Sequence, residues 1–304
     1  MKLSIITTLY YSEPYLEEFY RRITTAAKKI TSDYELIYVN DGSPDQVLKL
    51  AIKQQENDSK LTIVDLSRNF GHHQAGMIGL NQSTGEHVFL IDCDLEEAPE
   101  LLEIFWAEYS KNNVDVLYGV QANRKGKWFE RHSGSLFYSL FNSLSSVKIP
   151  NNMLTVRLMS KRFVLALLEY PEKNLFLGGL ISHVGFEQQP LTVEKLSKQN
   201  RSYTLTKQLS LFTTSITSFS SKPLAAIFFL GLLLISLSSL ATVLLLIFPF
   251  VDKISDLVII LLSVSFLSGL IISCTGILGI YLAKIYEEVK QRPRAIIKKV
   301  YHSK

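Results

Sequence analysis

Short, largely apolar stretches alternate with longer amphipathic stretches over the first 120 residues of the chain. The short stretches have the length and β-branched content of strands, and the longer ones carry apolar positions at helical spacing. Proline lies near the start of three helical stretches, where a missing N–H costs little. This alternation predicts a doubly wound, Rossmann-like α/β domain with a mixed, mostly parallel sheet. The predicted strands are Leu3–Leu9, Tyr34–Asn40, Leu61–Leu66, His87–Ile91 and Val114–Val120, and the predicted helices are Pro14–Ile30, Pro44–Gln55, His73–Gln82 and Pro99–Lys111.

A different pattern fills the C-terminal third, where residues 223–251 and 257–283 contain no Asp, Glu, Lys or Arg. Each run exceeds the roughly 20 residues that cross a bilayer. A short connection separates the runs, so they predict a transmembrane hairpin; two buried core helices are the alternative. Residues 284–304 are rich in Lys and Arg, which the positive-inside bias places in the cytoplasm. We therefore expect a multi-pass protein of a bacterial inner membrane, with the N-terminal domain and both termini cytoplasmic; an endoplasmic reticulum membrane is the alternative.

The segment before the first run, residues 203–222, has one apolar stripe at alternating spacings of four and three residues. This spacing predicts an amphipathic helix. We expect it to lie in the headgroup layer of a membrane, although an ordinary core-facing helix has the same pattern. The stripe consists of Leu205, Leu209, Phe212, Ile216 and Phe219.

The composition of the chain and the absence of two nucleotide-binding motifs disfavour several classes of function. The two cysteines, Cys93 and Cys274, are too few for a disulfide framework or a zinc site. Neither a G-x-G-x-x-G after the first strand nor a P-loop motif is present, which disfavours dinucleotide oxidoreductases and P-loop nucleotidases. The net charge of +4 is modest, and its basic residues become more frequent toward the membrane-proximal part and the C-terminal tail. Anionic lipid is therefore the expected partner of this charge, and no nucleic-acid partner is expected.

Polar residues follow the ends of the first three predicted strands. Tyr10 and Glu13 follow the first strand, Asp41 follows the second, and Arg68 follows the third. In doubly wound sheets, ligands bind beyond the carboxyl ends of the strands. Asp41 could accept hydrogen bonds from a nucleobase or ribose while Gly42 permits the turn, although Asp-Gly-Ser is also common turn chemistry.

The fourth predicted strand runs directly into an acidic turn that contains Asp92, Asp94 and Glu96. Residues i and i+2 of an extended segment point the same way, so Asp92 and Asp94 can present oxygens to one hard cation, with Glu96 as a further ligand. A Mg²⁺ or Mn²⁺ ion there would bridge the diphosphate of a nucleotide sugar and neutralise the leaving group. The alternative is a solvated acidic turn that caps the following helix.

Five fragments, in this order and spacing, resemble one known family. They are Val39-Asn40-Asp41-Gly42-Ser43, Leu66-Ser67-Arg68-Asn69-Phe70-Gly71-His72, Asp92-Cys93-Asp94-Leu95-Glu96, Arg157-Leu158-Met159-Ser160-Lys161-Arg162 and residues 285–293. With the two terminal apolar runs, the chain resembles the membrane-anchored family 2 glycosyltransferases of the A-type fold. More narrowly, it resembles the polyprenyl-phosphate glycosyltransferases, which include dolichyl-phosphate mannose synthases and bacterial undecaprenyl-phosphate sugar transferases.

The resemblance implies roles for most of these residues. Tyr10, Glu13 and Asp41 would line the nucleotide pocket, while Asp92, Asp94 and Glu96 would hold the metal. Two further arginines, Arg124 and Arg131, would serve the phosphates of donor or acceptor lipid, because a guanidinium pairs bidentately with phosphate; a solvated basic face is the alternative. We count Asp92, Asp94, Arg124 and Arg131 as catalytic, and Arg68 with the nucleotide-binding residues.

The implied reaction is inverting transfer of a sugar from a nucleotide-sugar donor to polyprenyl phosphate, for assembly or modification of cell-envelope glycans. A processive polysaccharide synthase and a catalytically silent nucleotide-binding scaffold are the alternatives. The chain departs from the family pattern at four positions, which concern the donor more than the reaction type. Residues 1–202 would form the catalytic domain, and glycines of the second apolar run could pack protomers into a homo-oligomer. The four departures are Tyr11-Ser12 in the first motif, Glu96 in place of Gln, Gln121 in place of Arg, and Thr155 in place of Asp.

Overall fold

The computed structural model describes residues 2–112, 114–121, 153–170, 177–194 and 295–302, with isolated positions between 260 and 293. Within these residues the chain forms an eight-stranded mixed sheet of order β7-β5-β6-β4-β1-β2-β3-β8. The strands are β1 (Leu3–Leu9), β2 (Tyr34–Asn40), β3 (Leu61–Leu66), β4 (His87–Leu90), β5 (Val116–Gln121), β6 (Met153–Ser160), β7 (Gln188–Val193) and β8 (Ile297–Tyr301). The helices are α1 (Leu16–Ile30), α2 (Val47–Gln55), α3 (His72–Gln82), α4 (Leu101–Tyr109), α5 (Lys161–Leu168) and α6 (Leu177–His183).

The centre of the sheet is parallel and buried on both faces. Strand β1 pairs in parallel with β2 and β4, and β2 pairs in parallel with β3. Ile5 packs in one hydrophobic cluster with α1, α2 and α4, whereas Ile6 packs in a second cluster with α3, α5 and α6. Burial on both faces explains why these strands are nearly continuous apolar runs. The predicted α/β fold class is therefore confirmed.

The chain order of the strands reverses between β1 and β4. From β1 the chain proceeds outward through β2 and β3, and it then returns to place β4 on the other side of β1. Such a reversal opens a crevice at the carboxyl ends of the two central strands, and ligands of doubly wound sheets bind there. The fold thus brings the ends of β1 and β4 together at one candidate site.

The predicted and observed element boundaries agree best for the buried strands. The first three strands have the predicted bounds, whereas α1 and α2 begin at Leu16 and Val47, later than predicted. The reason for α1 is local, since Ser12 O accepts hydrogen bonds from Tyr15 N and Leu16 N, and the chain therefore turns before the helix starts. The antiparallel strands β6 and β8, and strand β7 beside β5, were not predicted.

Strand β8 falls within residues 284–304, which were predicted only as a basic tail. It pairs antiparallel with β3, and Ser67 N donates to Ile296 O at 2.9 Å. Lys298 Nζ lies 3.8 Å from Asp65 Oδ2, and Asn40 Nδ2 donates to Asp65 Oδ1 at 2.7 Å. Lysines at a sheet edge discourage further strand pairing, which explains why a basic segment forms a strand here.

The expectation of a membrane protein needs correction. In the part of the chain that the structure describes, no helix combines the length and apolarity that a membrane crossing requires. This finding contradicts the predicted localisation as a multi-pass inner-membrane protein with its catalytic domain and both termini in the cytoplasm. The predicted span at 223–251 and the predicted interfacial helix at 203–222 lie outside the described residues, as does most of 257–283.

Gly42 gives a direct test of the turn after β2. Its φ is +60°, and a Cβ built there would lie 2.4 Å from the backbone C of Arg68. Because a left-handed backbone alone costs an L-residue roughly 1–2 kcal/mol, we expect Gly42→Ala to lower the free energy of unfolding by at least about 2 kcal/mol. Urea unfolding measures this loss. Gly76→Ala is the matched control, since a Cβ there meets nothing within 4 Å; an equal loss in both variants would contradict the explanation.

Candidate functional site

Two tyrosine rings lie at the end of β1, where a nucleotide pocket is predicted. Tyr10 is 44% exposed and Tyr11 is 51% exposed, and their ring centroids are 4.8 Å apart in an edge arrangement. Tyr11 has a φ of +53°, and its N–H donates to Ser43 Oγ at 2.8 Å. Exposed aromatic faces at a strand end offer a stacking surface for a planar base. The prediction for Tyr10 therefore falls on a side chain that a ligand can reach.

Glu13 joins the two loops of this region. Its Oε2 accepts from Gln46 N at 3.0 Å, and its own N–H donates to Asp45 Oδ2 at 3.0 Å. The carboxylate therefore lies at the start of α2, where negative charge is favourable. In the structure Glu13 holds the β1 and β2 loops together, and its nucleotide-binding role stays a prediction.

Asp41 fixes the loop between β3 and α3. It is 1% exposed, and its carboxylate accepts from Phe70 N at 2.7 Å and from Gly71 N at 3.0 Å. Burial raises the pKa of this carboxyl, although the two backbone N–H groups and the nearby His72 and Arg68 act in the opposite direction. The geometry thus gives Asp41 a loop-holding role at the predicted pocket.

Arg68 lies on the loop that Asp41 holds. Its guanidinium packs over the Phe70 ring at 4.1 Å from the centroid, and Nη1 donates to Asn69 O at 2.9 Å. The side chain is exposed, so a phosphate could replace solvent at its remaining N–H groups. Asp41 and Arg68 are therefore brought to the same loop, as their strand-end positions predicted.

The acidic turn lies at the crevice between β1 and β4. Asp92 Oδ1 is buried and accepts no hydrogen bond from the described residues, although His72 Nε2 lies 3.4 Å away. The other ring nitrogen of His72, Nδ1, lies 2.9 Å from Thr8 Oγ1 of β1. His72 therefore contacts Thr8 of β1 and approaches Asp92, which follows β4. This contact has no signal in the sequence, because it depends on the loop that Asp41 folds.

The predicted metal ligands are only partly brought together. Asp94 Oδ1 accepts from Glu96 N at 3.1 Å, and Leu95 between them has a φ of +62°. Among the described residues, no three His, Cys, Asp or Glu side chains form a group that could hold a metal ion. The structure therefore does not assemble Asp92, Asp94 and Glu96 as a three-carboxylate cage. The other two predicted catalytic residues, Arg124 and Arg131, lie outside the described residues.

Two buried charges behind the turn were not predicted as site residues. Glu97 is 1% exposed and Arg157 is 3% exposed. Glu97 Oε1 accepts from Thr155 N at 3.1 Å and from Val156 N at 3.4 Å, so it ties the acidic turn to β6. A sequence signal existed for Arg157, because a charged residue between apolar neighbours of a strand must find a polar partner.

His73 gives the site region a pH-dependent stability. Burial, together with the positive charges of His72 and Arg157, lowers its pKa from 6.5 to about 4. As the pH falls through 6.5 the unfolded chain takes up a proton before the folded one does, so stability decreases between pH 6.5 and pH 4 and is unaffected above. We expect the loss to reach up to about 3 kcal/mol. Urea unfolding of His73→Gln should show a flatter pH dependence; the same slope as the original chain would contradict this.

Comparisons with known proteins identify relatives over the whole chain. The family model described as Glycosyl transferase family 2 matches residues 4–168. A protein of Mycobacterium tuberculosis (strain CDC 1551 / Oshkosh) is 42% identical over 309 residues, covering 100% of this chain and 89% of its own. The uncharacterized glycosyltransferase YkcC of Bacillus subtilis (strain 168) is 33% identical, covering 99% and 94%. The SfII prophage-derived bactoprenol glucosyl transferase of Shigella flexneri is 30% identical, covering 98% of each chain.

Proposed function

Because the chain belongs to glycosyltransferase family 2, we propose that it transfers a sugar from a nucleotide-sugar donor to polyprenyl phosphate. The product is a lipid-phosphate-linked sugar for the assembly or modification of cell-envelope glycans. The observation that carries this proposal is the similarity to the bactoprenol glucosyl transferase of Shigella flexneri, which extends over 98% of both chains. A match of that extent includes the C-terminal part of the chain as well as residues 4–168, which the family model matches.

The donor binds at the crevice beside β1. The exposed ring of Tyr10 stacks on the base, and the loop held by Asp41 presents Arg68 to the diphosphate. A guanidinium offers several N–H groups to phosphate oxygens in one plane. Glu13 and Gly42 support this pocket by joining its loops and by permitting the turn after β2.

A divalent cation, Mg²⁺ or Mn²⁺, fits the acidic turn. The residues suit it because a buried Asp92 oxygen accepts no hydrogen bond from the described residues and Asp94 lies two residues further along the same turn. Two protein carboxylates are sufficient, since Mg²⁺ in such sites takes its remaining ligands from substrate phosphates and water. Asp92 and Asp94 would hold the ion, with Glu96 adding negative charge nearby, and the ion would neutralise charge on the departing nucleoside diphosphate.

The acceptor requires little proton transfer. A phosphate monoester is already anionic near neutral pH, so its oxygen can attack the anomeric carbon directly and displace the nucleoside diphosphate with inversion. No general base of high pKa is needed for this step. Arg124 and Arg131 are proposed to hold the acceptor phosphate close to the donor.

Release of nucleoside diphosphate by the purified full chain in detergent tests the proposal. We expect release only when undecaprenyl phosphate, a matching nucleotide sugar and Mn²⁺ or Mg²⁺ are all present. Undecaprenol is the acceptor control that tests the need for the phosphate, and dolichyl phosphate is the control that tests the need for the undecaprenyl chain. Release without any lipid phosphate would contradict the proposed acceptor, and nucleotide binding without turnover would favour a silent scaffold.

Removing the cation should abolish this release. We expect excess chelator to lower the rate at least about 100-fold, because charge on the leaving group is then uncompensated. Adding back Mn²⁺ beyond the chelator should restore the rate, which separates metal loss from denaturation. A rate that persists in chelator would contradict the role given to Asp92 and Asp94.

A further inference from the structure

Arg157 is a buried cation at the base of the acidic turn. It lies in β6 directly opposite Leu90, the last residue of β4. Asp92 follows Leu90 by two positions, so the antiparallel pairing of β6 with β4 brings Arg157 to the start of the turn. The register of the sheet therefore sets this juxtaposition.

The guanidinium is held by the backbone of its own strand. Nε donates to Thr155 O at 2.8 Å and Nη2 donates to Leu154 O at 2.9 Å. The third nitrogen, Nη1, is buried and donates no hydrogen bond to any residue that the structure describes. Arg157 is 3% exposed, so water does not readily solvate this group. A buried arginine with an unused N–H is costly to the stability of the fold.

Two carboxylates supply the opposing charge. Burial lowers the pKa of Arg157 to about 10, whereas the negative charges of Glu97 and Asp92 act to raise it. Glu97 binds the N–H groups of Thr155 and Val156, while Arg157 binds the carbonyl groups of Leu154 and Thr155. Both side chains thus form hydrogen bonds to the same short segment of β6. Glu97 does so from the acidic turn, and Arg157 does so from within the strand.

We propose that Arg157 is a positioning residue for glycosyl transfer, which fixes the acidic turn by holding the segment of β6 that Glu97 binds and thereby sets the affinity for the divalent cation. The effect of Arg157 on the rate of glycosyl transfer rests on the proposed function. It assigns the residue a role in cation affinity and rate, with no direct contact to the nucleotide.

The direction in which Mn²⁺ affinity changes when Arg157 is replaced distinguishes a positioning role from a purely electrostatic one. By Coulomb's law alone, removing the positive charge of Arg157 near two carboxylates would strengthen the binding of Mn²⁺. A positioning role requires the opposite, because the segment of β6 that Glu97 binds loses the side chain that holds it. Loss of a side chain that orients metal ligands typically costs about 10–100-fold in metal affinity or activity.

Mn²⁺ binding to the full chain tests the inference without turnover. Electron paramagnetic resonance measures free Mn²⁺ in titrations of the metal alone and of the metal with UDP or GDP. Arg157→Gln removes the charge, and Arg157→Lys retains it while losing the two-pronged contact to β6. Arg162→Gln is the matched control, because Arg162 pairs with buried Asp115 (Nη2 to Oδ2 at 2.7 Å) away from the acidic turn.

We expect Arg157→Gln to raise the Kd for Mn²⁺ at least about 10-fold and Arg157→Lys to raise it less. In turnover assays, kcat should fall while the donor KM at saturating Mn²⁺ stays within about threefold; Arg162→Gln should lose stability but bind Mn²⁺ like the original chain. An unchanged or lower Kd in Arg157→Gln overturns the inference, as does a wild-type chain that binds no Mn²⁺. If Arg157→Gln does not fold, the Kd of Arg157→Lys decides by the same criterion. Failure of the proposed function would differ, since Mn²⁺ would bind the original chain without lipid-dependent release.

Discussion

Asp94→Asn should lower kcat at least about 100-fold, the effect expected when a group that stabilises transition-state charge is removed. The substitution keeps the size of the side chain and its ability to accept from Glu96 N, a contact of 3.1 Å in the structure. Only the negative charge is lost, and with it one of the two carboxylates proposed to hold the cation. Because the fold of the turn is retained, the loss should appear in kcat with little change in thermal stability.

The release assay with undecaprenyl phosphate and Mn²⁺ measures this effect. Glu103→Gln on α4 is a suitable control, since Glu103 forms a surface pair with Lys29 and should not affect the rate. Higher Mn²⁺ should restore part of the activity of Asp94→Asn if the lesion is weakened metal binding. If Asp94→Asn were as active as Glu103→Gln, the proposed role of Asp94 in the reaction would be contradicted.

Phe89→Ala should lower the free energy of unfolding by about 3–5 kcal/mol, the usual cost of truncating a buried phenylalanine. Phe89 lies in β4, is fully buried, and meets the Phe105 ring at a centroid distance of 5.7 Å. The cavity would open between β4 and α4, directly before the acidic turn. We therefore expect the variant to lose activity at lower temperature than the original chain does.

Urea unfolding gives this loss directly. Leu165→Ala is the control, because Leu165 on α5 is 53% exposed and its truncation removes little buried surface. Phe89→Leu should recover much of the stability by filling part of the cavity. Similar losses in Phe89→Ala and Leu165→Ala would contradict the placement of β4 at the centre of the core.

Sequence patterns were sufficient for the parallel centre of the fold. Strands β1, β2 and β3 are buried on both faces, so each is a largely apolar run with clear ends. The flanking strands carried no such signal. Met153–Ser160 contains the charged Arg157, and Ile297–Tyr301 contains adjacent lysines, because each lies beside only part of the core or at an edge. Their pairing depends on contacts with strands far away in the chain.

The candidate site was predictable to the level of strand ends. Tyr10, Asp41, Arg68 and Asp92 lie at the carboxyl edge because parallel strands end together. The links between them were not predictable, since each depends on how a loop folds back. Examples are the Asp41 contacts to Phe70 and Gly71, and the approach of His72 to Asp92. The inner-membrane prediction is contradicted, because no helix among the described residues is long and apolar enough to cross a membrane.

The structure of the lipid product tests the central claim most directly. Purified full chain would be incubated in detergent with undecaprenyl phosphate, Mn²⁺ and the nucleotide sugar that supports release. Mass spectrometry and NMR of the extracted lipid should then show one sugar on a single phosphate, with the anomeric configuration opposite to that of the donor. A sugar joined through a diphosphate, a retained configuration, or a product without lipid would contradict the proposed reaction.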